Sequence, residues 1–463
     1  MKNKLHYSFL LCLTLVGLLL LLHYLPELPL GTIQLRKIDL LADLRYTDPT
    51  TSDSALVAQT NDSIPVPVEW KKDSVVVVKK DQRCPPGITC IEDYSVDSTG
   101  LKAFIQSLDL AQHKKGFSRI AFYGDSFIEG DVFCGSFRDS LQSIFGGRGV
   151  GFVPITSDVA GFRNTIKHSF ENWKTVSIIQ KNPEADLGIS GYTFLPEEGN
   201  SLVYRPSKQR YLREFNQVKL YFRAREDALL HYSIDTLNET EPLSAYNRVM
   251  EWKYAGKNIS SVSFEFFPYE GVEVYGASFE DGAGIYVDNF SVRGNSGMNL
   301  SSISKNMFQE FNAFRNYKLV ILQFGLNMVV EDKSNFDAYT RRMVGVVNYL
   351  KACLPHTSFL LLSVSDRSNN TTGVFKTMKA IPALRDAQRE IAKQTGIAFW
   401  DMYQAMGGED SMVKFAEASP PLGARDYTHL TFRGGKKLAG LLAKSLLFEK
   451  EKYETRKADE KGI

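Results

Sequence analysis

Between about residues 164 and 289 the chain carries short stretches of alternating apolar and polar residues, at 218–223, 229–234, 248–254, 262–267 and 272–279, with turn residues between them. On either side the pattern is different. Upstream, a helical stretch at 101–113 leads into an apolar strand at 119–123, and apolar residues at helical intervals over 133–145 stop at Gly146-Gly147. Downstream, strands at 319–324, 359–364 and 397–400 alternate with helices at 335–353, 377–394 and 433–448. Alternating strands and helices require a mostly parallel sheet with helices on its faces, whereas the middle run requires an antiparallel β unit of sandwich type. One sheet cannot satisfy both patterns. The spacing therefore predicts an α/β domain interrupted by an inserted all-β domain.

The 463 residues, 43% of them apolar, suffice for more than one core. A net charge of +2 provides no basic field, which excludes nucleic acid as an expected partner. Lys2 and Lys4 precede an apolar run at 9–22, the pattern of a secretory signal or a membrane anchor. No small-x-small cleavage pattern follows, so an uncleaved anchor is expected, with the N-terminus in the cytoplasm and the remainder outside. The expected division is a signal segment at 1–30, a Ser-, Thr-, Asp- and Pro-rich stalk at 31–98, the α/β domain in two parts at 99–163 and 290–450, the insertion at 164–289, and a charged tail at 451–463. Cys84 and Cys90 bracket a Pro-Pro-Gly turn, where a bridge suits an oxidising compartment. A zinc site there would need a second ligand pair at matching spacing, and none follows.

Two short motifs carry the chemistry. Phe122-Tyr123-Gly124-Asp125-Ser126 places a serine just past the end of a strand, and Asp426-Tyr427-Thr428-His429 presents a carboxylate and an imidazole from one short loop. A nucleophilic serine needs such a base, and the base needs an acid group to orient it. Gly-Asp-Ser is expected by chance roughly 0.1 times in a chain this long, so its single occurrence past a strand is informative. Taken singly, Ser126 reads as a helix cap and His429 as a structural histidine; with Asp426 they read together as Ser126, Asp426 and His429 of a catalytic set. The other histidines fall in less suitable places: His356, for example, precedes its strand, whereas sites in open parallel sheets gather at the exit ends. Acyl transfer also requires oxyanion donors. Asn327, in Gly325-Leu326-Asn327 directly after a strand, and Gly294, where the chain returns from the insertion, are the candidates. The aromatic residues Tyr221, Tyr232, Trp252 and Tyr254 of the insertion offer faces for sugar stacking, although core packing is the commoner use of strand aromatics.

In their order along the chain, Gly124-Asp125-Ser126, Gly294, Gly325-x-Asn327 and Asp426-x-x-His429 resemble the four blocks of the GDSL, or SGNH, hydrolase superfamily. Met328 stands where the third block usually has an acid, and Arg293 and Asn295 flank the glycine of the second. The resemblance implies a flavodoxin-like three-layer α/β/α fold and ester chemistry through Ser126, His429 and Asp426. It also implies an oxyanion held by the backbone amides of Ser126 and Gly294 and the side chain of Asn327. The sequence after the serine, Phe127-Ile128-Glu129-Gly130-Asp131, the later Phe145-Gly146-Gly147-Arg148-Gly149-Val150-Gly151-Phe152, and the β-rich insertion are similar to bacterial peptidoglycan O-acetylesterases, whose insertion resembles a carbohydrate-binding module.

That resemblance implies an acetylated glycan as substrate, no cofactor and no metal, and a periplasmic enzyme anchored in the inner membrane or, if the signal is cleaved, secreted. Membrane-anchored members with a similar layout transfer acetyl groups to polysaccharide with a multispanning acyl-export partner. An O-acetyltransferase is accordingly the alternative expectation, and a glycan-binding scaffold without catalysis the third.

Overall fold

The computed structural model describes residues 84–370 and 373–461, together with Thr14 and residues 29–30 and 33–34. It divides into two units, Met1–Val75 and Val76–Ile463. In the first, the described part is Thr14 and an antiparallel pairing of β1 (Pro29–Leu30) with β2 (Ile33–Gln34). The expected signal segment and most of the expected stalk lie outside the described residues. Among the described residues no helix is long and apolar enough to cross a membrane.

The second unit begins with β3 (Glu92–Asp93) and β4 (Phe117–Gly124). A run of nine strands follows: β5 (Arg148–Val153), β6 (Ile166–Ser177), β7 (Tyr192–Pro206), β8 (Phe215–Ala224), β9 (Ala228–Ile234), β10 (Leu237–Leu243), β11 (Tyr246–Ile259), β12 (Val262–Phe267) and β13 (Val272–Asp281). The remaining strands are β14 (Gly284–Ser291), β15 (Leu319–Gln323), β16 (Ser358–Leu362), the hairpin β17 (Ser368–Asn370) and β18 (Phe375–Thr377), and β19 (Ala398–Trp400).

Five strands make a parallel sheet in the order β14-β4-β15-β16-β19, and β3 adds an antiparallel edge. Numbered along the chain, the parallel strands run 2-1-3-4-5, the flavodoxin-like order. β15 and β16 are buried throughout, as continuous apolar strands covered on both faces must be. Helices Lys102–Gln112, Cys134–Phe145 and Phe432–Lys461 pack together in one layer, and Lys305–Arg315, Asp337–Cys353 and Ala380–Thr395 form the other.

β5 to β13 are hydrogen-bonded into one antiparallel sheet with its own apolar core. The sequence pattern suggested two stacked sheets. Instead the 15-residue β7 pairs with β6, β12 and β13 along its length, which joins the layers into one folded sheet.

The observed sheets also shift the expected boundaries. β5 lies before the expected start at 164 yet pairs with β13, and β14, most of which falls before the expected end of the insertion at 289, is a strand of the parallel sheet. The stretch from Cys84 to residue 98, expected to be stalk, is folded. Cys84 and Cys90 are bridged, Ile91 and Tyr94 are buried, and the Trp400 indole donates to the Thr89 carbonyl. A two-residue edge strand is too short to leave a periodic signal. The charged tail continues the last helix to Lys461, with Lys450 paired to Asp109.

Where the two sheets meet, Arg315 is fully buried at the end of its helix. It donates to Asp288 of β14 at 2.6 and 2.8 Å, to Glu280 of β13, to the Ser278 hydroxyl at 3.0 Å and to the Tyr221 hydroxyl at 3.1 Å. Burial alone would push the Glu280 carboxyl up, but Arg315, Arg119 and Lys219 hold it well below the usual carboxylate range. Replacing Arg315 with Met leaves the buried Asp288 carboxylate without its ion-pair partner and Glu280 with Arg119 and Lys219 alone. It is expected to lower the unfolding free energy by about 3–5 kcal/mol, read as a drop in the urea midpoint. An unchanged midpoint would remove this network from the supports of the fold.

Candidate active site

Ser126 follows β4, the strand at which the order of the sheet reverses, and β14 and β15 flank it. Crevices of open α/β sheets form at this point, outside the carboxyl ends of the strands. The turn is set locally. A Cβ on Gly124 would meet Ile128 Cδ1 at 2.6 Å and the Gln323 carbonyl at 3.0 Å, so glycine lets Ile128 and β15 pack close against the turn. The Asp125 carboxylate then accepts the Phe127 amide at 2.9 Å and fixes the turn.

Ser126 Oγ lies 3.1 Å from His429 Nε2, and His429 Nδ1 lies 2.7 Å from Asp426 Oδ2. The other Asp426 oxygen accepts the amides of Thr428 at 2.9 Å and His429 at 3.0 Å. Burial would raise this carboxyl, yet the His429 amide, the His429 ring and the Thr428 amide hold it below the usual carboxylate range. Asp426 is thus kept ionised against the ring it orients. Tyr427, with φ 53°, lets the loop curl. Its ring stacks on Phe375 of the β17–β18 hairpin at 3.7 Å between centroids, and its carbonyl accepts the Ser368 amide at 3.0 Å.

Asn327 and Gly294 meet the same crevice. The Asn327 side-chain nitrogen donates to Asp125 Oδ2 at 3.2 Å and to the Asn295 carbonyl at 3.1 Å, which ties the loops after β15 and β14 to the serine turn. Both of its hydrogens are engaged. Gly294 has φ 78° and open space around its Cα, and among the described residues the amides of Ser126 and Gly294 have no acceptor. The structure therefore brings the five residues singled out from the sequence around one crevice.

Three supporting features were not read from the sequence. Glu129 pairs with Arg293 at the crevice edge. The buried Asp131 accepts from Arg138 at 3.1 Å, Arg163 at 2.9 Å, Thr165 at 2.6 Å and Asn289 at 2.9 Å, which anchors the serine loop to β14 and to the start of β6. The β17–β18 hairpin carries no period long enough to show. The acids at 129 and 131, so close after Ser126, were the available signal. Of the aromatic residues offered for sugar stacking, Tyr221 and Trp252 are buried in the core, whereas Tyr232 and Tyr254 are half-buried and pack on Trp252.

The fold is shared with a solved structure. A structure described as a peptidoglycan O-acetylesterase superposes with TM-score 0.65 at 21% identity, over 78% of this chain and 99% of that one. A family two carbohydrate esterase from Cellvibrio japonicus aligns with TM-score 0.26 at 10% identity, over 62% of this chain and 99% of that one. A GDSL-like lipase from Parabacteroides merdae aligns with TM-score 0.27 at 16% identity, over 35% of this chain and 72% of that one. No family model and no curated protein matches the chain.

Burial pushes the Asp125 carboxyl up to about 7, while the Phe127 amide and the His429 ring pull it down. Because the folded pKa lies above the unfolded one, folded protein binds a proton between about pH 4 and 7 that unfolded protein has released. The stability from this group is present at acid pH and is lost as pH rises toward 7, a change on the order of 4 kcal/mol. Asp125→Asn is expected to flatten that dependence, so that the difference in Tm between variant and parent moves in the variant's favour from pH 5 to pH 8. Parallel Tm profiles would contradict it.

Proposed function

We propose that the protein is a serine esterase that removes acetyl groups from a cell-envelope glycan. The observation that carries this reading is the continuous hydrogen-bond chain from Ser126 Oγ through His429 to Asp426, set at the switch point of the sheet. His429 Nε2 takes the Ser126 proton as Oγ attacks the ester carbonyl, and Asp426 stabilises the imidazolium. The amides of Ser126 and Gly294 and the Asn327 side chain receive the oxyanion. Collapse expels the sugar oxygen, which takes its proton from His429 and leaves the acetyl group on Ser126. Water, deprotonated by His429, then attacks the acyl-serine, and as acetate leaves His429 returns the proton to Ser126 Oγ.

A glycan substrate is supported by the shared fold of the peptidoglycan O-acetylesterase. Action outside the cytoplasm is supported by the Cys84–Cys90 bridge and by the apolar segment after Lys2 and Lys4.

Ser126→Ala is expected to lower acetate release from an O-acetylated glycan by at least about a thousandfold. A slow acyl ester should leave an adduct on Ser126 that mass spectrometry detects; turnover unchanged in the alanine variant would sink the reading. Asn327→Ala should lower kcat by roughly a hundredfold to a thousandfold with little change in KM, because its donor is needed most when charge develops. Steady-state kinetics separates the two parameters.

A further inference from the structure

A cavity of about 310 Å³ opens beside the crevice, and residues of both sheets line it. Glu129 and Arg293, paired with each other, stand at its border with the serine turn, and the Glu129 amide bonds the Ser126 carbonyl at 3.4 Å. From the β-rich part come Tyr192 of β7, the exposed Ile179 and the buried Ser190.

Ser190 is 4% exposed, and its hydroxyl has no hydrogen-bond partner among the described residues. That hydroxyl is itself shielded from solvent, so Ser190 shapes the wall by its bulk, and the reachable polar groups are those of the other lining residues, Ser157, Thr156 and Ser291 among them. The ionisable lining balances, with the carboxylates of Glu129 and Asp158 set against the guanidinium groups of Arg163 and Arg293. Arg163 is moreover committed to Asp131. Such walls offer no surplus cation to an anionic ligand. The mixture of hydroxyls with Ile179 and the Tyr192 ring suits a molecule with polar edges and an apolar face. Small-molecule pockets span about 300–1,000 Å³, so this one takes a ligand near the small end, the size of a single sugar ring.

We propose that this cavity is a glycan subsite that seats an uncharged sugar ring next to the ester cleaved at Ser126. The assignment rests on the esterase reading and assigns the inserted β sheet half of the substrate pocket.

The test compares two substrates, p-nitrophenyl acetate and an O-acetylated N-acetylglucosamine oligomer, in the full chain. Ser190→Leu fills the cavity, and Ile179→Glu places a charge on its wall at a position too exposed to disturb folding. Both variants are expected to lose about tenfold or more in kcat/KM on the oligomer, chiefly through KM, and to keep p-nitrophenyl acetate hydrolysis within about twofold of the parent. Parent-like turnover of the oligomer by both variants overturns the subsite, as does an equal loss on both substrates or a parent that does not turn over the oligomer. If Ser126→Ala retains hydrolysis of p-nitrophenyl acetate, it is instead the esterase reading that fails.

Discussion

The fold depends on one buried cation. Arg315 joins Asp288 of the parallel sheet to Glu280 of the inserted sheet, in a region where Arg119 and Lys219 also converge on Glu280. Two sheets of unlike pattern meet here on charged side chains, although apolar residues pack densely on either side. Such a network need not add net stability over a well-packed apolar contact. What it supplies is a fixed relation, because the directional bonds of one guanidinium to Asp288, Glu280 and Ser278 fit a single placement of β13 on β14. The cavity beside Ser126 is shaped by that placement, since Phe152 of β5 and Phe290 of β14 are both in its lining and pack edge to face at 5.1 Å.

The insertion enters between β4 and β14, two neighbouring strands of the parallel sheet. The chain leaves the sheet at Gly124, just before Ser126, forms the helix Cys134–Phe145, builds nine antiparallel strands, and returns one strand over to pass Gly294. An insertion at this position places the second sheet beside the crevice rather than at a remote edge. The flavodoxin-like strand order and the location of the β-rich part are therefore one fact seen at two scales.

Much of this was legible from residues alone. The strands at 319–324 and 359–364 stand out because parallel strands buried on both faces read as unbroken apolar runs. That Ser126, Asp426 and His429 come together in one hydrogen-bonded chain was legible because a hydroxyl, an imidazole and a carboxylate recur in few combinations at the ends of such strands. Other features were not. Arg148–Val153 contains glycines at 149 and 151, which read as loop, yet a Cβ at Gly149 would meet the Phe279 carbonyl at 2.3 Å, so the glycines permit the strand pairing they conceal. Gly284–Ser291 opens on the apolar run Ile285-Tyr286-Val287, but its buried Asp288 and Asn289 cut that run short. Only the tertiary partners Arg315 and Asp131 explain polar residues there.

Asn327 shows why a donor already in use can suit the proposed reaction. In the resting structure its two hydrogens go to the Asn295 carbonyl and to Asp125, so no buried donor is left open at a cost. A neutral carbonyl at 3.1 Å competes poorly with an oxyanion, since hydrogen bonds to a full charge are roughly twice as strong. The ester of the ground state carries no such charge and has little power to displace Asn295. The switch from carbonyl to oxyanion is therefore favourable only as the tetrahedral state forms, and an interaction gained only there lowers the barrier without tightening substrate binding.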